Sequence, residues 1–205
     1  MYRGDGLNLY AYCGNNPVMY VNPSGYSKKF GTDSENNKNS IEEYVIDSGN
    51  TKAMEVVNTQ GKKAAGPCLS TVYDPVLDRI YYGQNYKSKS QTATQAYQHW
   101  LANDADPIIQ KRTAEYQADI DAGKVTDLPE NHDTRLAAHS EVRALDSALK
   151  KRRDLEMVVD ESSLSEMYLY NIDLSELYKR NGIVPKPRCE NCSRITDGII
   201  TIGHN

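Results

Sequence analysis

Two short strings carry residues able to do chemistry: His139-Ser140-Glu141 and Pro187-Arg188-Cys189-Glu190-Asn191-Cys192. One imidazole and two thiolates make a three-ligand set for zinc, which at catalytic centres keeps its fourth tetrahedral position for water. Two cysteines three apart at a helix start can both face one ion, and the amides of such a start favour the thiolate form. Glu141 follows His139 by two residues. In mid-helix two such side chains diverge by about 200°. At the first turn the leading residue is not yet helical, so both can face one ion. A carboxylate beside the ion, but not bound to it, suits a proton shuttle between water and a ring nitrogen or leaving amine.

Elements on either side must hold these strings together. Cys68 to Tyr73 reads as a strand, Asp74-Pro75-Val76-Leu77-Asp78 as a turn and Arg79 to Gly83 as the returning strand of a hairpin. Residues 91–102 suit a helix. Asp106-Pro107 gives an N-cap followed by proline at the first helical position, so Ile108 to Ala122 is expected to be helical, with Gly123 ending it. Val142, Leu145 and Leu149 recur at helical spacing and predict a helix over 137–152. Met167 to Leu174 alternates like a strand, 189–196 suits a short helix, and Ile199 to Ile202 a last strand. The order β-β-α-α-α-β-α-β implies an α/β fold, a three-layer sandwich in which helices cover both faces of a mixed sheet. Upstream, residues 27–65 are rich in Lys, Asn, Ser, Gly and Thr and read as a poorly ordered linker, with one short element between Ile41 and Val57. Residues 5–26 read as two short strands around Gly14-Asn15-Asn16-Pro17.

Composition bounds the partners. The chain has 205 residues, 24 Lys+Arg against 28 Asp+Glu, and a net charge of -4. Its pI of 5.6 and mean hydropathy of -0.69 disfavour a strongly basic nucleic-acid binder, leaving room only for a local basic groove. No apolar run is long enough to span a membrane, and Met1 to Asp5 lacks the apolar region of a signal peptide. Four cysteines are too few for a disulfide-built scaffold. Bland readings exist for each string. Cys-x-x-Cys also serves closed structural zinc sites, which here would recruit Cys68, and it serves redox sites. Lys150-Lys151-Arg152-Arg153 reads as a solvated helix end favoured by the dipole, or as a phosphate contact.

Two resemblances add to this. The string GLNLYAYCGNNPVMYVNPSGY resembles the end of the core domain of Rhs/YD-repeat proteins, large shells that carry a variable toxin just downstream. The resemblance implies that residues 1–26 are a remnant of that core, and it implies a cognate immunity protein. The usual Asp-Pro junction is Asn22-Pro23 here, which removes the aspartate that takes part in self-cleavage. The pattern H-x-E followed by P-C-x-x-C is the signature of zinc-dependent nucleobase deaminases, with Arg188 inserted between Pro187 and Cys189. HSEVRAL, PRCENCSRITDGI, the hairpin GPCLSTVYDPVLDRIYYG and the helix DPIIQKRTAEYQADIDAG resemble the YwqJ-like branch of deaminase toxins over residues 66–205.

That resemblance implies the cytidine deaminase-like fold, with one Zn²⁺ per chain held by His139, Cys189 and Cys192. It implies Glu141 as general acid/base and Ser140 as a small residue whose backbone lines the base pocket. Pro187, Arg188 and Arg194 flank the motif as candidates for substrate contact. The implied activity is hydrolytic deamination of cytosine to uracil in nucleic acid, DNA ahead of RNA, by a toxin delivered as part of a larger bacterial protein into a target-cell cytoplasm. The alternatives are a deaminase of RNA or free cytidine or adenosine nucleotides, and a non-catalytic zinc-stapled binding module. Residues 64–205 hold 17 Lys+Arg against 21 Asp+Glu, so any groove for a polyanion has to be local.

Overall fold

A computed structural model describes residues 34–85, 90–125 and 135–203. The expected 1–26 remnant with its Asn22-Pro23 junction, and residues 127–134 between the expected helices, lie outside the described residues. The elements are α1 (Ser34–Thr59), α2 (Lys62–Ala65), β1 (Cys68–Asp74), β2 (Arg79–Gln84), α3 (Gln91–His99) running into a π-helical turn (Trp100–Asp104), and α4 (Pro107–Asp121). Then come α5 (Ser140–Asp154), a 3₁₀ turn (Glu161–Glu166), β3 (Tyr168–Asp173), α6 (Leu174–Tyr178), α7 (Glu190–Ile195) and β4 (Ile200–Thr201). The succession expected from Cys68 onward is present, with α6 as an additional short helix.

The four strands form one mixed sheet in the order β2-β1-β3-β4. β1 runs antiparallel to both β2 and β3, and β3 is parallel to β4. The β1–β2 turn closes because Asp74 Oδ1 accepts from the amides of Val76 (3.0 Å) and Leu77 (3.4 Å) while Asp78 takes φ 47°. β1 is buried along its whole length, and its side chains alternate between two apolar layers as a pleated strand must. Leu69 and Tyr73 join Tyr170 and Ile172 of β3 under α1 and α6. Val72 and Leu169 face the other way, into a core built by α4, α5 and α7. The sheet is therefore covered by helices on both faces.

One expectation is corrected. Within the expected linker 27–65, Ser34–Thr59 is instead a 26-residue helix with Ile41, Val45, Ala53 and Val56 buried on one stripe. Its middle, Asp47-Ser48-Gly49-Asn50, is poor helix-forming sequence, and a glycine there costs about 1 kcal/mol relative to alanine. Packing outweighs that cost. A Cβ on Gly49 would sit 2.8 Å from Thr71 Oγ1 and 2.8 Å from Tyr170 Cδ1, so glycine is what lets the helix lie on the sheet. Tyrosine hydroxyls fasten the same helix: Tyr82 donates to Ser48 O, Tyr170 to Asn50 Oδ1, and Tyr178 to Gln60 O just beyond it. The folded unit thus reaches back at least to Ser34, well before the expected boundary at 66.

The basic run ending α5 is a second difference. Arg152 is only 2% exposed and donates to both carboxylate oxygens of buried Asp74 and to Glu166. Arg153 pairs with Asp106, and Lys150 Nζ donates to Asp104 O. These three cations tie α5 to its neighbours, and Arg152 among them is buried rather than part of a solvated helix end.

Candidate metal centre

The two strings meet because both sit where a helix begins. His139 is the residue before α5 and has extended backbone, φ -85° and ψ 161°. Cys189 holds the same place before α7, with φ -75° and ψ 169°. Neither follows its helical spiral, so each ring or thiol swings toward the other helix. His139 Nδ1 lies 3.1 Å from Cys189 Sγ and 3.3 Å from Cys192 Sγ, and the two sulfurs are 3.5 Å apart. All three cysteines among the described residues are free thiols.

The residues fit a zinc ion. Donors around a tetrahedral zinc with bonds of about 2.0–2.3 Å are about 3.5–3.8 Å from one another, close to the separations here. Soft thiolates with an imidazole are also what zinc selects over hard cations. Cys68 stays out of the set: its buried thiol contacts Leu69 O, and the group of potential ligands is His139, Cys189 and Cys192. Among the described residues, three protein donors gather at this point.

The electrostatics follow from the crowding. The Cys189 thiol is pulled down to about 4, first by its hydrogen bond with Cys192 and then, against partial burial, by His139. Cys192 moves the opposite way, raised by sharing that proton with Cys189, by complete burial and by the nearby charge of Glu141.

Glu141 stands next to Cys192 but is not one of the donors. It is 4% exposed, and a buried carboxylate needs hydrogen bonds to be tolerated. Ser140 Oγ donates to Oε2 at 3.1 Å and itself receives a hydrogen bond from Ser70 Oγ at 2.7 Å. Asn171 Nδ2 reaches Oε1 at 3.4 Å. Ser70 on β1 and Asn171 on β3 are completely buried polar residues of the α5-facing side of the sheet. The sequence reading missed both. Their signal was a polar residue standing where period-2 alternation calls for an apolar one. The Cys68 thiol beside them is pushed up to about 12, chiefly by burial and then by the charge of Glu141.

The flanking residues are placed as follows. Ser140 is buried; its hydroxyl serves Glu141, and its carbonyl packs on Gly83 of β2. Pro187 is exposed at the end of a segment that runs beside β3, where Lys186 N donates to Asn171 O and Asp173 N to Val184 O. Arg188 turns back on α7 and donates to Thr196 O and Oγ1, both at 3.0 Å. Arg194 pairs with Glu190 and lies over the ring of Tyr116. Both arginines thus brace the cysteine helix.

Further clamps reach it from α4. Tyr116 OH donates to Asn191 Oδ1, between the two cysteines, and Arg112 donates to Ile195 O and Asp197 O at the far end. Grooves of about 500 and 450 Å³ lie along α4, and neither is lined by His139, Glu141, Cys189 or Cys192.

Gly83 sets how closely α5 approaches the sheet. A Cβ there would stand 2.1 Å from Ser140 O and 2.6 Å from Ala144 N, both backbone atoms that no rotamer change can move. Gly83→Ala should therefore push out the very turn that carries His139 and Glu141. The expected result is a loss of about 1–3 kcal/mol in urea unfolding, together with weaker zinc binding in a chelator competition. Unchanged values for both would show that the helix start has room to spare. Comparisons of the chain with family models, with curated proteins and with solved structures gave no match.

Proposed function

We propose that the chain is a zinc-dependent hydrolytic deaminase of a nucleobase, with the cytidine deaminase-like fold as its scaffold. The observation that carries this reading is a three-donor set, His139, Cys189 and Cys192, with the buried carboxylate of Glu141 beside it and outside it. A structural zinc staple has no use for that acid. Zinc held there supplies Lewis acidity and lowers the pKa of water toward neutrality. Glu141 would carry one proton of the water to the ring nitrogen, and then the proton of the hydroxyl added to the base to the amine, which leaves as ammonia. The net change is water plus an amino-substituted ring going to a keto-substituted ring plus ammonia. Ser140 and Asn171 hold the two oxygens of the carboxylate in place for both transfers.

Cytosine in nucleic acid is the first substrate, with DNA ahead of RNA. This follows from the toxin resemblance, as do a cognate immunity protein and action in a target-cell cytoplasm after delivery by a larger bacterial protein. No helix among the described residues is long and apolar enough to cross a membrane. One observation favours a second substrate class. The cations near the centre are engaged within the chain, Arg188 with Thr196, Arg194 with Glu190 and Lys186 with Asp173. A free nucleotide asks less of a phosphate track than a strand does.

The deciding experiment offers single-stranded DNA, duplex DNA, RNA and cytidine triphosphate to the purified chain and reads uracil formation by mass or sequencing. Deamination of none of them, or of an adenine base alone, would overturn the cytosine reading. Metal analysis should give about one zinc per chain, and Cys192→Ser should lose most of it. Full zinc retention in that variant would remove Cys192 from the ligand set.

A further inference from the structure

We propose that Cys189 and Cys192 are also a peroxide-responsive dithiol, which closes to a disulfide when no metal is bound and so switches the centre off until a thiol reductant reopens it. The placement is asymmetric in the way such a pair requires. Cys189 is exposed and can meet a small oxidant, whereas Cys192 is fully buried 3.5 Å behind it. A disulfide needs its sulfurs at about 2.05 Å, so one short side-chain movement closes the gap. The pair shares a single turn, with Ser193 N bonded to Cys189 O across it. His139 Nδ1 lies 3.1 Å from Cys189 Sγ, within the same cluster. Cys68 does not compete, being buried and outside the cluster.

The chemistry balances with hydrogen peroxide as the oxidant. The Cys189 sulfur attacks one peroxide oxygen, the O–O bond breaks, and hydroxide leaves and is protonated to water. The resulting sulfenic acid is attacked by Cys192, the S–S bond forms, the S–O bond breaks, and a second water leaves. Two thiols are oxidised and one peroxide is reduced to two waters. A bound metal ion engages both sulfurs and blocks the first step. A disulfide in turn leaves only the imidazole of the three donors, so oxidation and metal binding exclude one another.

The test uses the full chain, zinc-loaded and zinc-stripped, treated with a slight excess of hydrogen peroxide. In the stripped chain, titratable thiols should fall from the four of the sequence toward two. The tryptic peptide Cys189–Arg194, which holds both cysteines, should become about 2 Da lighter. Dithiothreitol should restore the thiols and the uptake of zinc. The loaded chain should keep its thiols. In Cys192→Ser, which removes the resolving sulfur, dimedone should trap the sulfenic acid on Cys189. Addition of oxygen to the wild-type peptide in place of hydrogen loss would overturn the proposal, as would equal oxidation of the loaded chain. These readouts are masses, thiols and zinc, so a negative result here is separable from a failure to deaminate any base.

Discussion

Glu141→Gln is expected to slow base deamination by about 10²–10⁴-fold, the range that a positioned acid/base contributes, while leaving zinc content and folding intact. The substitution keeps the volume of the buried side chain. It also keeps one oxygen to accept from Ser140, whose hydroxyl donates to the carboxylate now. What it removes is the capacity to take up and return a proton. His139, Cys189 and Cys192 retain their mutual positions, so metal analysis should still find zinc. Rate assays on the preferred substrate, metal content and thermal unfolding together check the prediction. A rate within a few-fold of wild type would leave Glu141 as a buried carboxylate with no chemical part. Toxicity at the wild-type level in the same variant would favour the zinc-stapled binding module.

The donors were legible from sequence because chemistry restricts residue type as well as spacing. Two cysteines three apart and a histidine placed just before an amphipathic run have few common purposes. The helix starts that orient them could be read from the same strings. The apolar period of Val142, Leu145 and Leu149 marked α5, although the helix begins at Ser140 rather than at 137. The β1–β2 hairpin was legible from its turn residues.

What was not legible depends on partners distant in the chain. α1 looks like a linker until the sheet face beneath it is known, because Gly49 is a defect in an isolated helix and an asset against Thr71 and Tyr170. Ser70 and Asn171 interrupt apolar faces of their strands, and their purpose shows only once the Ser140–Glu141 turn is seen against them. Gly83 could pass for the end of a strand, and its use lies in the Ser140 carbonyl almost 60 positions away. In each case the deciding contact came from elsewhere in the chain.

Arg152 is the strongest instance of this and carries the largest stability effect. Within the run Lys150 to Arg153 nothing distinguishes it, and its main partner, Asp74, lies 78 residues earlier. Asp74 is fully buried and spends one oxygen on the amides of the β1–β2 turn. Removing the guanidinium leaves that charge in the core, facing only those amides. Breaking a buried pair from one side costs about 3–5 kcal/mol, far more than an exposed pair is worth. Arg152→Ala should therefore lose about that much in urea unfolding. At roughly 2–4 °C per kcal/mol for a chain of this size, the melting temperature should fall by about 6–20 °C. Added salt should rescue little, because buried charges are weakly screened. Replacing both residues, Arg152→Met with Asp74→Asn, should cost less than Arg152→Ala alone, since no unpaired charge remains. A single-variant loss below about 1 kcal/mol would place the pair with ordinary surface ion pairs. The expected loss instead makes it the tie that fixes the far end of α5, the helix whose first turn presents His139 and Glu141.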